Sequence, residues 1–148
     1  VTQAKVIVLI GIPGSGKSTW AAKQNATVIS SDELRGVLSG DVKNQDIHAK
    51  VFATMRYLLR TRLELGATPT IIDATNIRRK DRKAWLQIAH KFGASVDAVL
   101  FDLPIEVALE RNRKRDRVVP EDVIRSMAKR LQLPTIEEGF KKISTIVA

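Results

Sequence analysis

Val6-Ile7-Val8-Leu9-Ile10 runs directly into Gly11-Ile12-Pro13-Gly14-Ser15-Gly16-Lys17-Ser18, and the fold is read outward from this stretch. The first half is an unbroken apolar run rich in β-branched residues, the composition of a central parallel strand covered on both faces. The second half spaces its glycines and its Lys-Ser pair as G-x-x-x-x-G-K-S. Glycines let the backbone turn tightly enough for successive N–H groups to face one anion, and the helix expected behind them adds its positive end. Lys17 supplies a mobile charge for β- and γ-phosphates, and Ser18 a hydroxyl for Mg²⁺. Gly11, Pro13, Gly14, Ser15, Gly16, Lys17, Ser18 and Thr19 are therefore the expected nucleotide-phosphate binders, with ATP or another NTP and Mg²⁺ as the expected cofactors.

Beyond the loop, strand and helix signals alternate. A helix is expected from Lys17 to about Gln24 and a strand at Thr27 to Ile29. Ser30-Ser31-Asp32-Glu33 offers N-cap candidates for a short helix that Gly36 or Gly40 could close. Apolar residues at helical spacing predict a long helix from about Gln45 to Leu65, with Gly66 as its C-terminal cap. Thr70-Ile71-Ile72 leads a third strand into Asp73-Ala74-Thr75-Asn76. A helix over Lys80 to Lys91 and a strand over Ser95 to Phe101 follow. Pro104 and Pro120 suit the first turns of helices from Ile105 to about Arg111 and from Glu121 to Leu131. Lys142 to Val147 is a candidate edge strand. Repeated β-α units predict a doubly wound parallel sheet with ligands at the carboxyl ends of its strands.

With 148 residues, 44% hydrophobic and 28% charged, one globular domain over residues 1–148 is expected and wholesale disorder is not. No apolar run reaches the roughly 20 residues of a membrane span, and no signal peptide opens the chain, so a cytoplasmic location without a membrane partner is the expectation. The chain begins at Val1 rather than methionine, so flanking sequence is expected. Without cysteine, disulfides and thiolate metal sites are excluded. His48 and His90 have no ligand-spaced neighbour and read as surface or structural residues. Twenty-five Lys and Arg against 16 Asp and Glu give a formal charge of +9. Such a field favours polyanions, nucleic acid above all, over small neutral metabolites.

The loop continuation at Gly11 to Trp20, S-D-x-x-R at Ser31 to Arg35, D-A-T-N at Asp73 to Asn76, and R-N-x-K-R followed by V-P at Arg111 to Pro120 together resemble the kinase domain of 5′-hydroxyl polynucleotide kinases of phage and bacterial end-healing enzymes. The tail P-T-I-E-E-G-F at Pro134 to Phe140 is also similar to bacterial members. The resemblance implies a P-loop NTPase/kinase-like three-layer αβα fold, with a mostly parallel sheet of about five strands and an arginine-bearing lid at about 111–119. It implies ATP-dependent phosphorylation of 5′-OH ends of RNA or DNA.

Residue by residue, it implies Asp32 as the general base, where the residues alone also allow a helix N-cap. It implies that Arg35 holds the phosphate on the 3′ side of the accepting nucleotide, and that Arg115, with Arg111, closes over the NTP phosphates. Arg113 and Arg117 read either as solvated or as nucleic-acid contacts. Asp73 ends a buried strand, and either holds Mg²⁺ with Ser18 or organises its loop. Asn76 is expected to fix the acceptor or the loop by side-chain hydrogen bonds. Catalysis would thus fall to Lys17, Asp32 and Arg115, and acceptor binding to Asp32, Arg35 and Asn76. Two alternatives share these residues: a kinase of a sugar, nucleoside or antibiotic, and a nucleic-acid-binding ATPase without a phosphoacceptor.

Overall fold

The computed structural model describes residues 3–40 and 47–147. Five strands, β1 (Lys5–Ile10), β2 (Thr27–Ser30), β3 (Thr70–Asp73), β4 (Ser95–Phe101) and β5 (Lys142–Ile146), form one sheet in the order β2-β3-β1-β4-β5. Every pairing is parallel. Helices α1 (Lys17–Ala22), α2 (Ser31–Ser39), α3 (His48–Glu64), α4 (Arg79–Lys91), α5 (Ile105–Arg113) and α6 (Glu121–Arg130) connect or flank the strands. A single 3₁₀ turn, Ile136–Glu138, precedes β5.

The apolar run of β1 divides by parity, as a strand covered on both sides must. Val6, Val8 and Ile10 pack with Met55 and Leu59 of α3 and Trp85 of α4. Leu9, with Ile7 beside it, packs with Ala21 of α1 and with Ile71, Val99 and Phe101. A third cluster joins Ile12 to Ala108 and Leu109 of α5 and Ile124 of α6, so the phosphate loop is seated on the lid-bearing helices.

The element boundaries follow local chemistry. α1 stops at Ala22, short of Gln24, because Lys23 and Gln24 bond to Trp20 and Ala21, three residues back, and tighten the last turn. Gly40, at φ 75°, closes α2, leaving Gly36 inside the helix. Gly66 takes φ 71° after α3, and the next residue, Ala67, donates to Arg62. The expected start of α3 at Gln45 lies outside the described residues. Pro104 and Pro120 are N-cap residues, one position before the turns expected to hold them. Strands β1 and β3 lie side by side, yet their chains depart in opposite directions, toward β2 and toward β4. The crevice at their carboxyl ends is where such sheets bind ligands.

Candidate active site

The phosphate loop fills the crevice end of β1. A Cβ on Gly14, which has φ 84°, would lie 2.2 Å from the Ala108 carbonyl oxygen, so only glycine lets the loop sit this close to α5. A Cβ on Gly16 would meet the Arg111 guanidinium at 3.1 Å, which places Arg111 directly on the loop. Lys17 opens α1 and is 9% exposed. Its ammonium donates to the carbonyl oxygens of Gly11 (2.9 Å) and Ile12 (3.1 Å). Burial pushes its pKa down to about 8, Asp73 and Asp32 opposing the fall and Arg115 adding to it.

Ser18 Oγ donates to Asp73 Oδ2 at 2.8 Å across the crevice. Burial raises the Asp73 pKa, while Lys17 and the Ser18 hydroxyl pull it back. A hydroxyl and a carboxylate in contact beside a phosphate loop fit Mg²⁺, which keeps most of its waters and takes one or two oxygen ligands from protein.

Asp32 stands on the other side of the cleft. Ser30, rather than Asp32, caps α2, its Oγ accepting from the Glu33 N–H at 3.3 Å. The Asp32 carboxylate is thereby left for the cleft, where three arginines converge on it. Arg35 reaches it at 3.2 Å from one turn along α2, Arg115 at 3.3 Å and Arg117 at 3.0 Å from the loop between α5 and α6. Arg35 is 6% exposed. One terminal nitrogen serves Asp32, the other lies 3.1 Å from His48 Nδ1, and Nε has no partner. Burial and then Arg117 lower the Arg35 pKa, with Asp32 opposing. Burial and the Arg35 charge lower that of His48, with Asp81 opposing.

These residues line one cleft of about 570 Å³, its polar floor of Lys17, Ser18, Asp73, Asp32 and Arg35 facing apolar side chains from α3, the lid loop and α6. Lys17, Ser18, Asp32, Arg35, Asp73 and Arg115 are brought together in it. Asn76 is not among them. It is 3% exposed, at φ 48°, donates to the backbone oxygens of Leu9 and Ala74, and accepts from Trp85 Nε1. The amide holds the β3 loop against β1 and α4, which favours the loop-fixing of the two roles expected for Asn76.

Arg113 is held in exposed ion pairs with Glu110 and Glu121 at the base of the lid. His48, expected to be a surface or structural residue, lines the cleft. Arg117 joins Arg115 on Asp32 from the loop between α5 and α6, a contact that no local sequence pattern signalled. Asn112 carried no signal. It is fully buried, and both ends of its amide clamp the Val119 backbone, at 2.7 and 3.0 Å.

The family model described as AAA domain matches residues 6–134. The chain belongs to the AAA domain family. This AAA domain is 29% identical over 147 residues to a bifunctional polynucleotide phosphatase/kinase of Schizosaccharomyces pombe, covering 96% of this chain and 33% of that protein. The domain thus spans a third of that relative's length. Among solved structures it is similar to a chain of the Pnkp1/Rnl/Hen1 RNA repair complex, with TM-score 0.75 and 24% identity over 89% of this chain and 45% of that one. It is also similar to a gluconokinase of Sinorhizobium meliloti, with TM-score 0.64 and 20% identity over 99% of this chain and 84% of that one. At these identities the structural likeness concerns the fold alone. Among the described residues of the domain, no helix is long and apolar enough to cross a membrane.

Proposed function

We propose that this chain is an NTP-dependent kinase that transfers the terminal phosphate of its nucleotide to an alcohol of a nucleoside-type acceptor. The carrying observation is the Asp32 carboxylate, freed from capping by Ser30 and set in one cleft with Lys17, Ser18 and Asp73 under two lid arginines. A carboxylate on the acceptor side of the cleft can take up the proton of an alcohol as its oxygen bonds to phosphorus.

The loop N–H groups and Lys17 hold the phosphates of the donor, and Ser18 with Asp73 would hold Mg²⁺. When bound, the metal neutralises charge on the phosphate oxygens. Asp32 accepts the proton as the acceptor oxygen forms its bond to the γ-phosphorus, and the bond from that phosphorus to the bridging oxygen breaks to release the nucleoside diphosphate. Arg115 and Arg117 face the charge that spreads over the transferring group, the task for which guanidinium is suited in phosphoryl transfer. Both arginines must move from the Asp32 oxygens toward phosphate for the carboxylate to take up the acceptor hydroxyl, so substrate binding itself uncovers the base.

A free nucleoside or nucleotide is the first acceptor reading. Both terminal nitrogens of Arg35 already have partners in Asp32 and His48, leaving Nε for an acceptor anion. The second reading, a 5′-OH end of RNA or DNA, is favoured by the charge of +9 and by the likeness to the yeast phosphatase/kinase. Incubation with γ-labelled ATP, Mg²⁺ and a panel of nucleosides, nucleoside 3′-monophosphates, 5′-OH oligonucleotides and sugars tests the proposal. Label should enter a base-bearing acceptor. Release of inorganic phosphate unaffected by any acceptor would return the chain to an ATPase, and label in sugars alone would remove the nucleoside reading.

A further inference from the structure

We infer that His48 and Phe52 form the platform that binds the heteroaromatic base of the acceptor. The inference rests on the nucleoside-type acceptor proposed above and names the residues that would select it. The two side chains stand one turn apart on α3, their ring centroids 4.7 Å apart and tilted by 45°. Both line the cleft that holds Asp32. Phe52 is backed in turn by the buried Trp85, at 6.4 Å between centroids, so the platform has a fixed floor. His48 Nδ1 lies 3.1 Å from Arg35, which ties the outer ring to the guanidinium beside Asp32. The lid loop and α6 contribute Val119, Val123 and Met127 to the same cleft.

This composition selects by shape and chemistry. A sugar standing alone would set hydroxyls against the Phe52 ring and the side chains of Val119, Val123 and Met127, which offer them no hydrogen bond, and polar groups desolvated without partners are costly. A flat base stacks on aromatic faces whatever its sequence identity. The phosphates of the donor nucleotide would be committed to the loop that packs on α5 and Arg111, whereas the platform stands on α3. The platform belongs to the α2–α3 side of Asp32, where an acceptor would enter.

Adenosine 3′-phosphate and methyl β-D-ribofuranoside 3-phosphate form the test pair, since both present a furanose 5-hydroxyl and a 3-phosphate and only the first carries a base. Wild-type kcat/KM should favour the base-bearing acceptor. His48→Ala and Phe52→Leu should each reduce that preference by about 5- to 150-fold, the range seen when stacking residues are truncated, through the acceptor KM and with the KM for NTP unchanged. His48→Phe keeps a ring and discards the nitrogen facing Arg35, and should retain the preference. A preference unchanged in His48→Ala, or lost equally in His48→Phe, overturns the platform. Should Phe52→Leu fail to fold, the exposed His48 pair of variants still decides.

Calorimetric binding of the same two ligands separates this inference from the reaction. If neither acceptor is phosphorylated, yet adenosine 3′-phosphate binds wild type and binds His48→Ala more weakly, the kinase reading falls and the platform stands. Equal binding of both ligands, or of neither, overturns it.

Discussion

Lys17 is a cation held where its own charge is disfavoured, and that has consequences in both stability and turnover. Burial lowers its pKa from 10.5 to about 8. Between those two values the unfolded chain still holds a proton that the folded one has released, so stability rises with pH across that window. Relative to Lys17→Met, wild type should gain on the order of 3 kcal/mol between pH 7 and pH 10.5, read by denaturant unfolding at each pH; parallel curves would remove the perturbed lysine. The neutral amine is also a poorer phosphate ligand, so kcat/KM for the NTP should fall as pH rises through about 8. A second residue-scale prediction concerns Asp32. Asp32→Asn should lower kcat by roughly 10²-fold or more while NTP affinity holds or tightens, because Arg115 and Arg117 lose the anion that competes with phosphate for them. Equal losses in kcat and in NTP binding would recast Asp32 as structural. The phosphate loop was legible because its chemistry is local, four fixed positions within a stretch of eight. The Asp32 hub was half legible: the S-D-x-x-R spacing places Arg35 one turn from Asp32, but nothing local could bring Arg117 across from a distant loop. Which of its two expected roles Asn76 would take was not legible, because its buried partners, Leu9 and Trp85, are 67 and 9 residues away in sequence.

At the scale of elements, the helices announced themselves by period and by their caps, and the residual errors fall at ends where tertiary contacts decide. α5 runs to Arg113, two residues beyond the expected Arg111, because its last turn is secured by Arg113 pairing with Glu110 and Glu121. The buried Arg82 was invisible to periodicity. It lies within α4 without exposure, donating to Asn76, Ile77 and Gln132 carbonyls and pairing with Glu138 at 2.8 Å, and so fastens the α4 helix to the segment before β5. The lid depends on a comparable device. Asn112, at the end of α5, holds Val119 by both backbone groups, and Val119 packs with Ile12, Leu109 and Ile124. This ties the loop bearing Arg115 and Arg117 to the floor under the phosphate loop. Asn112→Leu leaves the Val119 N–H and C=O without partners, at roughly 1 to 3 kcal/mol each if they stay buried. The cheaper outcome is for the loop to open. Amide exchange across residues 114–120 should therefore accelerate and kcat/KM for the NTP should fall, with the amides of β1 and β4 as protected as before. Unchanged exchange at Val119 would show that the clamp contributes nothing to the lid.

For the molecule as a whole, the excess of cations is not consumed by the cleft. Asp32 and Asp73 offset part of Lys17, Arg35, Arg115 and Arg117, and much of the remainder lies on outer faces, as at Arg79, Lys80 and Lys83 along an open groove of α4. The full strand order was not read from the sequence, but that the sheet is parallel, with β1 inside it and β5 at an edge, was legible, because a βα alternation with a phosphate loop after β1 allows few arrangements. The distribution of charge over surfaces was not, because sequence spacing does not say which exposed faces share a side of the folded body. That distribution yields a test of acceptor size. A single strand lying along such a surface releases condensed counterions, so its binding weakens with salt by a logarithmic slope of about 0.7 for each phosphate neutralised. Three such contacts would lower kcat/KM for a 5′-OH oligonucleotide about 20-fold between 50 and 200 mM salt, at saturating NTP. A nucleoside 3′-monophosphate carries no such counterion atmosphere and should lose far less. A steep loss for the strand with a shallow one for the monophosphate would establish the polynucleotide as the acceptor that the surface is built to attract. Equal, shallow losses would leave the exposed cations as a solvated face and place the whole of acceptor recognition in the cleft around Arg35 and Asp32.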